Sequence, residues 1–369
     1  MKERINRAIK ALEQKELDAL IVLKESNVCY LTGSRIDYSA AILSRDGVYI
    51  LAHVLEYERA KRAPLVKDAY AYSIYPLETD IEYLRVKSLE EAIQKLISKL
   101  GLDEAEIGYE GDFLPEKKVK LLTNLLPKAK FSDASDLIWE LRMIKDQDEI
   151  FMIKRACEAA IEGIVASFNA ISVGKREIDI AAEALRAMMK KGGFTDLEPI
   201  VASGVRSALP HGRATEKTIR DNEFVVIDLC PRYESYYSDI TRTIIVGRAD
   251  RTQRKVYEAV LDAQQTVIDQ VKPGMKCNEV DKLAREILRR NNYEKYFIHS
   301  TGHGVGLDIH EPPLISQNVD VELKEGMIVT IEPGVYIPGW GGVRIEDTVL
   351  VTKNGARILT ELSRELLEL

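Results

Sequence analysis

Phe224-Val-Val-Ile-Asp-Leu-Cys-Pro-Arg-Tyr-Glu-Ser-Tyr-Tyr-Ser-Asp-Ile-Thr-Arg-Thr-Ile-Ile-Val246 is the stretch whose reading decides the fold. Its opening run of β-branched residues reads as a buried central strand, yet the run closes on the carboxylate of Asp228. An ionised carboxylate in such a place costs several kcal/mol unless a cation meets it. The linking residues Pro231 to Ser235 can turn the chain into a hairpin that returns Asp239 beside Asp228. Two carboxylates that close repel, and without metal one should hold a proton. With metal both stay ionised, and one can bridge two ions. An internal arginine paired with Asp228 is the competing explanation.

The same device recurs downstream. Glu332 ends the apolar run Met327-Ile-Val-Thr-Ile, and Glu346 ends Gly342-Val-Arg-Ile. Arg344 and Glu346 stand two apart and so share a strand face, which a local Arg–Glu pair would also explain. His303 lies among Gly302, Gly304 and Gly306, where glycines let a backbone approach a ligand. A phosphate loop is the rival reading there, but the spacing fits neither the Walker pattern nor the dinucleotide fingerprint. Four carboxylates and one imidazole suit a pair of hard divalent cations. Such a set favours Mn²⁺, Co²⁺ or Fe²⁺ over structural zinc, which prefers Cys and His.

Around this core the chain reads as two domains, since 369 residues exceed what one hydrophobic core usually serves. Residues 2–15 and 88–100 carry helical spacing, while 19–23 and 105–109 read as strands and 40–51 as a hairpin around Arg45-Asp46. That makes residues 1–142 an α/β domain with one histidine, His53, and no catalytic cluster. A charged stretch at 142–149 leads into a long helix striped by Ile150, Ile153, Cys157, Ile161, Ile164 and Phe168, which opens a domain at 146–369. Further helices are expected at 177–192, 251–271 and 277–291, with strands at 223–229, 241–247, 327–337 and 342–352. The strands come in consecutive pairs, which is antiparallel behaviour and an α+β arrangement. No strong local repeat stands out.

A net charge of −7 argues against nucleic acid or an anionic membrane as main partner. The N-terminal residues run into an amphipathic helix without a signal-peptide core, and no apolar run reaches membrane length. Cys29, Cys157, Cys230 and Cys277 show no framework spacing, so a reduced cytoplasmic protein is the plain reading.

With these motifs in hand, the chain resembles the creatinase/aminopeptidase P/prolidase metallopeptidases, nearest to the prolidases. Tyr30-Leu-Thr-Gly33 resembles the N-terminal domain of that family, and Asp228 to Glu346 carry its metal motifs in order. The resemblance implies a pita-bread catalytic domain with an antiparallel sheet and flanking helices, behind a smaller creatinase-type α/β domain. It implies two divalent ions per subunit, Mn²⁺ or Co²⁺ ahead of Fe²⁺ or Zn²⁺. Asp228 would bind one ion, His303 and Glu332 the other, and Asp239 and Glu346 both. His211, His299 and His310 match substrate-side histidines, and Arg344 an arginine near the bridging acids that also bounds the substrate site. The implied reaction is hydrolysis of the bond before proline in di- or short peptides by a homodimer. Glu332 would move the proton, and His211 or His310 would steady the oxyanion. Release of the first residue from longer Xaa-Pro peptides is the alternative, and a peptide-binding member without activity the remote one.

Two departures stand out. Some relatives carry a basic residue shortly after the His-Glu motif, whereas Glu311 is followed by Pro312-Pro-Leu-Ile315, with no basic residue before Lys324. Leu314 thus weakens strict dipeptide specificity. Cys230 stands where relatives often have Gly and adds a thiol near the site, open to oxidation if exposed, with a buried packing role the expectation.

Overall fold

The computed structural model describes residues 2–369, which divide into two compact units, one ending at Arg142 and the other running from Met143 to Leu369. In the first, seven strands form one mixed sheet ordered Tyr83–Arg85, Asp68–Ser73, Gly47–His53, Ser39–Ser44, Ala19–Val22, Glu106–Tyr109, Lys130–Asp133. Ser39–Ser44 and Ala19–Val22 are buried throughout, as unbroken apolar runs require. The hairpin turns at Arg45-Asp46, with Ser44 opposite Gly47 and the Ser44 hydroxyl donating to Asp46 Oδ1 at 2.6 Å. Gly33 closes helix Glu25–Thr32 in the left-handed region, φ 73°, its N–H donating to Cys29 O. The unit's one histidine, His53, accepts from the Leu55 N–H and edges onto Tyr72.

The second unit is built twice over. Helix Gln147–Ala170 pairs with Glu177–Lys190, and Arg251–Gln270 with Cys277–Arg290. Capping boxes start the long member of each pair: Asp146 with Glu149, and Asp250 with Gln253. The short turns entering the second helices match in their backbone bonds. Gly174 N donates to Ile219 O at 2.9 Å, and Gly274 N to Leu323 O at 2.8 Å. Arg176 bridges Thr218 just as Lys276 bridges Glu322. No sequence repeat announced this, because the two copies share only turn chemistry and helical period.

Each helix pair backs an antiparallel sheet. The first comprises Ile240–Val246, Glu223–Leu229 and Ile200–Ser203. The second runs Glu311–Ile315, Gly302–Gly304, Ile328–Ile331, Asp347–Thr352, Gly355–Ile358. Two expected strands are broken here. The one expected over 327–337 stops at Ile331 and resumes as Gly334–Ile337 in a separate ribbon, because Pro333 has no N–H for the ladder. The one expected over 342–352 divides into Gly341–Arg344 and Asp347–Thr352. Glu332 and Glu346 occupy these breaks, where side chains leave the sheet plane.

The glycines around His303 serve a different purpose from the one expected. His303 sits on a strand rather than a loop, and what comes close is the neighbouring backbone. A Cβ at Gly302 would lie 1.9 Å from Thr330 O, and one at Gly304 2.4 Å from Pro312 O. Gly302→Ala must push the strand away from Ile328–Ile331. It should cost at least ~1–3 kcal/mol of stability and displace His303. Thermal melts with a metal-binding titration check this, and an unchanged melting temperature would contradict it.

Candidate metal centre

The five expected donors meet in one cleft, and the two sheets supply them symmetrically. Register places Asp228 opposite Thr241 and Leu229 opposite Ile240, so the next pair outward is Cys230 and Asp239. Ile331 lies opposite Asp347, so the next pair beyond is Glu332 and Glu346. Each strand pair thus delivers two acids where its ladder ends. Between the sheets, Glu346 N donates to Thr241 O at 3.1 Å and Asp239 N to Thr348 Oγ1 at 3.1 Å.

The charges are close and poorly hydrated. Asp239, His303 and Glu346 offer donor atoms that all lie within 4.8 Å of one another, as do Asp228, Cys230 and Asp239. His303 Nε2 is 3.3 Å from Glu332 Oε1 and 3.8 Å from Asp239 Oδ2. Its Nδ1 faces Gly304 O at 3.0 Å. A carbonyl only accepts, so Nδ1 carries the hydrogen and the Nε2 lone pair faces the acids. Burial holds this imidazole below its usual pKa, hence neutral. Burial, then Asp228, raise the Asp239 carboxyl well above its ordinary value. Burial, then Asp239, do the same to Glu346, and burial raises Glu332.

These residues fit a cation on an observation independent of charge counting. Thr241 Oγ1 donates to Glu346 Oε2 at 2.7 Å, while Glu346 Oε1 is buried with no hydrogen-bond partner. A buried acceptor without a donor is rare unless an ion takes it. The two donor groups share Asp239, the arrangement expected where one carboxylate serves two ions.

The remaining site residues divide. His211, His299 and His310 line the same cleft, His211 and His310 exposed and His299 half-buried. The His310 ring stands edge-on to His303 with centroids 4.3 Å apart. His299 Nε2 lies 3.0 Å from the Tyr336 hydroxyl. Arg344 lines the cleft but is committed elsewhere: its guanidinium donates to Asp228 Oδ2, Tyr336 Oη, Pro210 O and Thr241 Oγ1. Four of the five N–H donors of a guanidinium are thus occupied. The pairing of Asp228 with an internal arginine is therefore real, and it coexists with the acid cluster. Arg344 supports Asp228 rather than presenting a free cation to substrate.

Cys230 does not play the packing role expected of it. Half-buried in the cleft, its thiol donates to Asp239 Oδ1 at 3.0 Å, with Asp228 Oδ1 at 3.5 Å. Burial and both carboxylates raise its pKa well above the ordinary thiol value. Tyr336 escaped the sequence reading. Burial pushes its phenol up to about 12, and it ties Arg344 to His299. Only pairing Gly334–Ile337 with Gly341–Arg344 in advance would have exposed it.

These pKa shifts set a sign for stability. In the unfolded chain the acids ionise near ~4, so in the metal-free fold the raised groups are a cost present at high pH. That cost is relieved as protons bind the folded form. Lowering the pH from the alkaline side toward neutrality, before the histidines titrate in the unfolded chain, should raise the melting temperature of chelator-treated protein. With divalent metal present the trend should vanish or reverse, because protons then compete with the ion. Parallel calorimetric melts measure it, and identical slopes with and without metal would contradict it.

A carboxylate-rich cleft where two similarly built sheets meet, in a chain that also carries a separate α/β unit, defines a metallohydrolase class. Residues 152–353 match metallopeptidase family M24, and residues 4–144 the creatinase/prolidase N-terminal domain. The chain belongs to metallopeptidase family M24. It is similar to the Xaa-Pro dipeptidase of Pyrococcus furiosus, 42% identical over 374 residues and covering 100% of both chains. The crystal structure of the prolidase from Pyrococcus horikoshii superposes with a TM-score of 0.86 at 38% identity, covering 99% of this chain and 100% of that one. That of the X-Pro aminopeptidase from Thermotoga maritima gives 0.88 at 30% identity, over 99% of each.

Proposed function

We propose that the protein is an Xaa-Pro dipeptidase acting through two divalent cations. The observation that carries the reading is the acid cluster with its orphan Glu346 oxygen, set in a cleft rimmed by three histidines. Full-length similarity to Xaa-Pro dipeptidases supports the substrate class. Asp228, Asp239, His303, Glu332 and Glu346 would hold the ions. Bound there, the ions would supply Lewis acidity toward water and the scissile carbonyl. Donor chemistry favours Mn²⁺ or Co²⁺ ahead of Fe²⁺ or Zn²⁺.

The chain's own groups do the rest. Glu332, beside His303 in the cleft, takes the proton of the attacking water and passes it to the leaving proline nitrogen. His211 and His310 stand at the open side of the cluster, where a carbonyl oxygen gains negative charge, and donate to it. Partial desolvation of its ring against His303 keeps His310 below its usual pKa, so its donation does not require a charged ring. The nitrogen of an Xaa-Pro bond bears no hydrogen, so its side of the site needs no acceptor. Met188, Leu197, Ile298, Ile309 and Leu314 give that cleft, about 690 Å³ in volume, an apolar wall suited to the ring.

Hydrolysis of Ala-Pro against Ala-Pro-Ala, by chelated and then Mn²⁺-reloaded protein, tests the reading. Metal-dependent cleavage favouring the dipeptide is expected. Preference for the tripeptide would make the protein an aminopeptidase of the X-Pro type, and cleavage of neither would leave a peptide-binding role. The active form is taken as a cytoplasmic homodimer, on the resemblance and on four free thiols that suit a reducing compartment. Sedimentation at the mass of a single chain would contradict the dimer.

A further inference from the structure

The cleft is electrostatically unwelcoming to one end of the proposed substrate. Five carboxylates line it against two arginines, Arg213 and Arg344. A dipeptide ending in proline carries its own carboxylate one residue beyond the scissile bond, and that anion needs a cation. Arg344 is buried and already engaged with Asp228 and Tyr336. Leu314, on the segment after His310-Glu311, is apolar.

Arg213 has the opposite character. Its side chain is 70% exposed, and Nη1 lies 3.1 Å from Glu198 Oε2 on a side chain 68% exposed. A pair so hydrated contributes little and exchanges partners readily. Its backbone, in contrast, is firmly held. Arg213 O accepts from Arg206 Nη2 at 2.6 Å, and Arg206 Nε donates to the buried Glu177 carboxylate at 3.1 Å. Register gives its reach. Arg213 bridges Ile200, and Ile200 lies opposite Asp228. The Arg213 backbone is therefore two inter-strand spacings, about 10 Å, from that of Asp228. An arginine side chain is long enough to carry its guanidinium into the cleft that Asp228 lines. Arg213 also follows His211 by two positions, its N–H donating to His211 O at 2.9 Å.

We propose that Arg213 is the specificity residue that clamps the free C-terminal carboxylate of an Xaa-Pro dipeptide, taking it in exchange for Glu198. The proposal rests on the dipeptidase reading above. Glu198 is then a weak built-in competitor that yields to substrate. A planar guanidinium fits a carboxylate through two parallel hydrogen bonds, which an amide terminus cannot match in charge.

The test compares kcat/KM for Ala-Pro and for Ala-Pro-amide, which has the same size without the charge. Wild-type protein should prefer the acid. Arg213→Met should lower the acid-to-amide ratio about tenfold to a hundredfold, mostly through KM for the acid, and Arg213→Lys should recover part of it. Glu198→Gln frees the arginine and should raise kcat/KM for Ala-Pro severalfold, a gain that a folding defect cannot imitate. A ratio unchanged by Arg213→Met, or no gain in Glu198→Gln, would overturn the assignment while leaving the dipeptidase reading intact. Cleavage of neither compound by metal-loaded wild type would overturn both.

Discussion

Replacing Glu346 with Gln is expected to cut peptide hydrolysis by more than about a hundredfold and, in the metal-free protein, to raise the melting temperature. The two effects share one cause. Glu346 is buried beside Asp239, and burial and that neighbour oppose its ionisation. Without metal, each ionised acid in this cluster is a standing repulsion. An amide of the same shape removes one charge, keeps the acceptor that Thr241 Oγ1 uses, and offers a donor to the neighbouring acids. With metal, the exchange removes a shared anionic donor, and Lewis acidity at the cleft falls with it. Chelated and metal-loaded melts beside kcat/KM measure both signs. Activity within tenfold of wild type, or a lower metal-free melting temperature, would show that Glu346 is a structural acid.

Arg344→Met should be the most damaging substitution for stability, about 3–5 kcal/mol in metal-free protein. The guanidinium is 3% exposed, and removing it strands four acceptors at once: Asp228 Oδ2, the Tyr336 hydroxyl, Pro210 O and Thr241 Oγ1. Arg344→Lys should rescue little, because an ammonium cannot spread its donors over that plane. Divalent metal should shrink the loss by restoring positive charge beside Asp228. Activity should still fall tenfold to a hundredfold, roughly the usual cost of losing a group that orients a metal ligand. Urea unfolding with and without Mn²⁺ gives the comparison. A loss below about 1 kcal/mol that metal does not change would contradict this role, since so small an effect is ordinary for a surface substitution.

The acid positions were legible because burying charge is costly. Arginine pairing could account for Asp228 or Glu346 singly, but four carboxylates at the ends of apolar strands together pointed to cations, and the structure brings all four together. Strand ends at Glu332 and Glu346 were less legible. Ile-Glu-Pro-Gly and Arg-Ile-Glu-Asp continue the apolar alternation, so pattern alone extended both strands through the breaks. The duplicated helix pairs were hidden for a similar reason. Their equivalence lies in backbone bonds at Gly174 and Gly274, which many sequences can make. Which residues meet across the fold was not legible. Arg344 meets Asp228 across 116 positions and Thr241 across 103, and no local signal encodes such a meeting. Arg344 was expected near the bridging acids and at the edge of the substrate site; it lines the cleft, and its guanidinium is engaged with Asp228. Cys230 was misjudged because a half-buried thiol and a buried one look alike in a strand sequence.

The central claim is that the acid cluster is a two-cation hydrolytic centre for the bond before proline. Its most direct test is to titrate Mn²⁺ into chelator-stripped protein while following bound metal by atomic absorption and Ala-Pro cleavage together. Activity that rises from background and saturates as two ions fill each chain, with Glu346→Gln failing to reach either plateau, is the predicted result. Full cleavage of Ala-Pro by protein shown to hold no metal would contradict it.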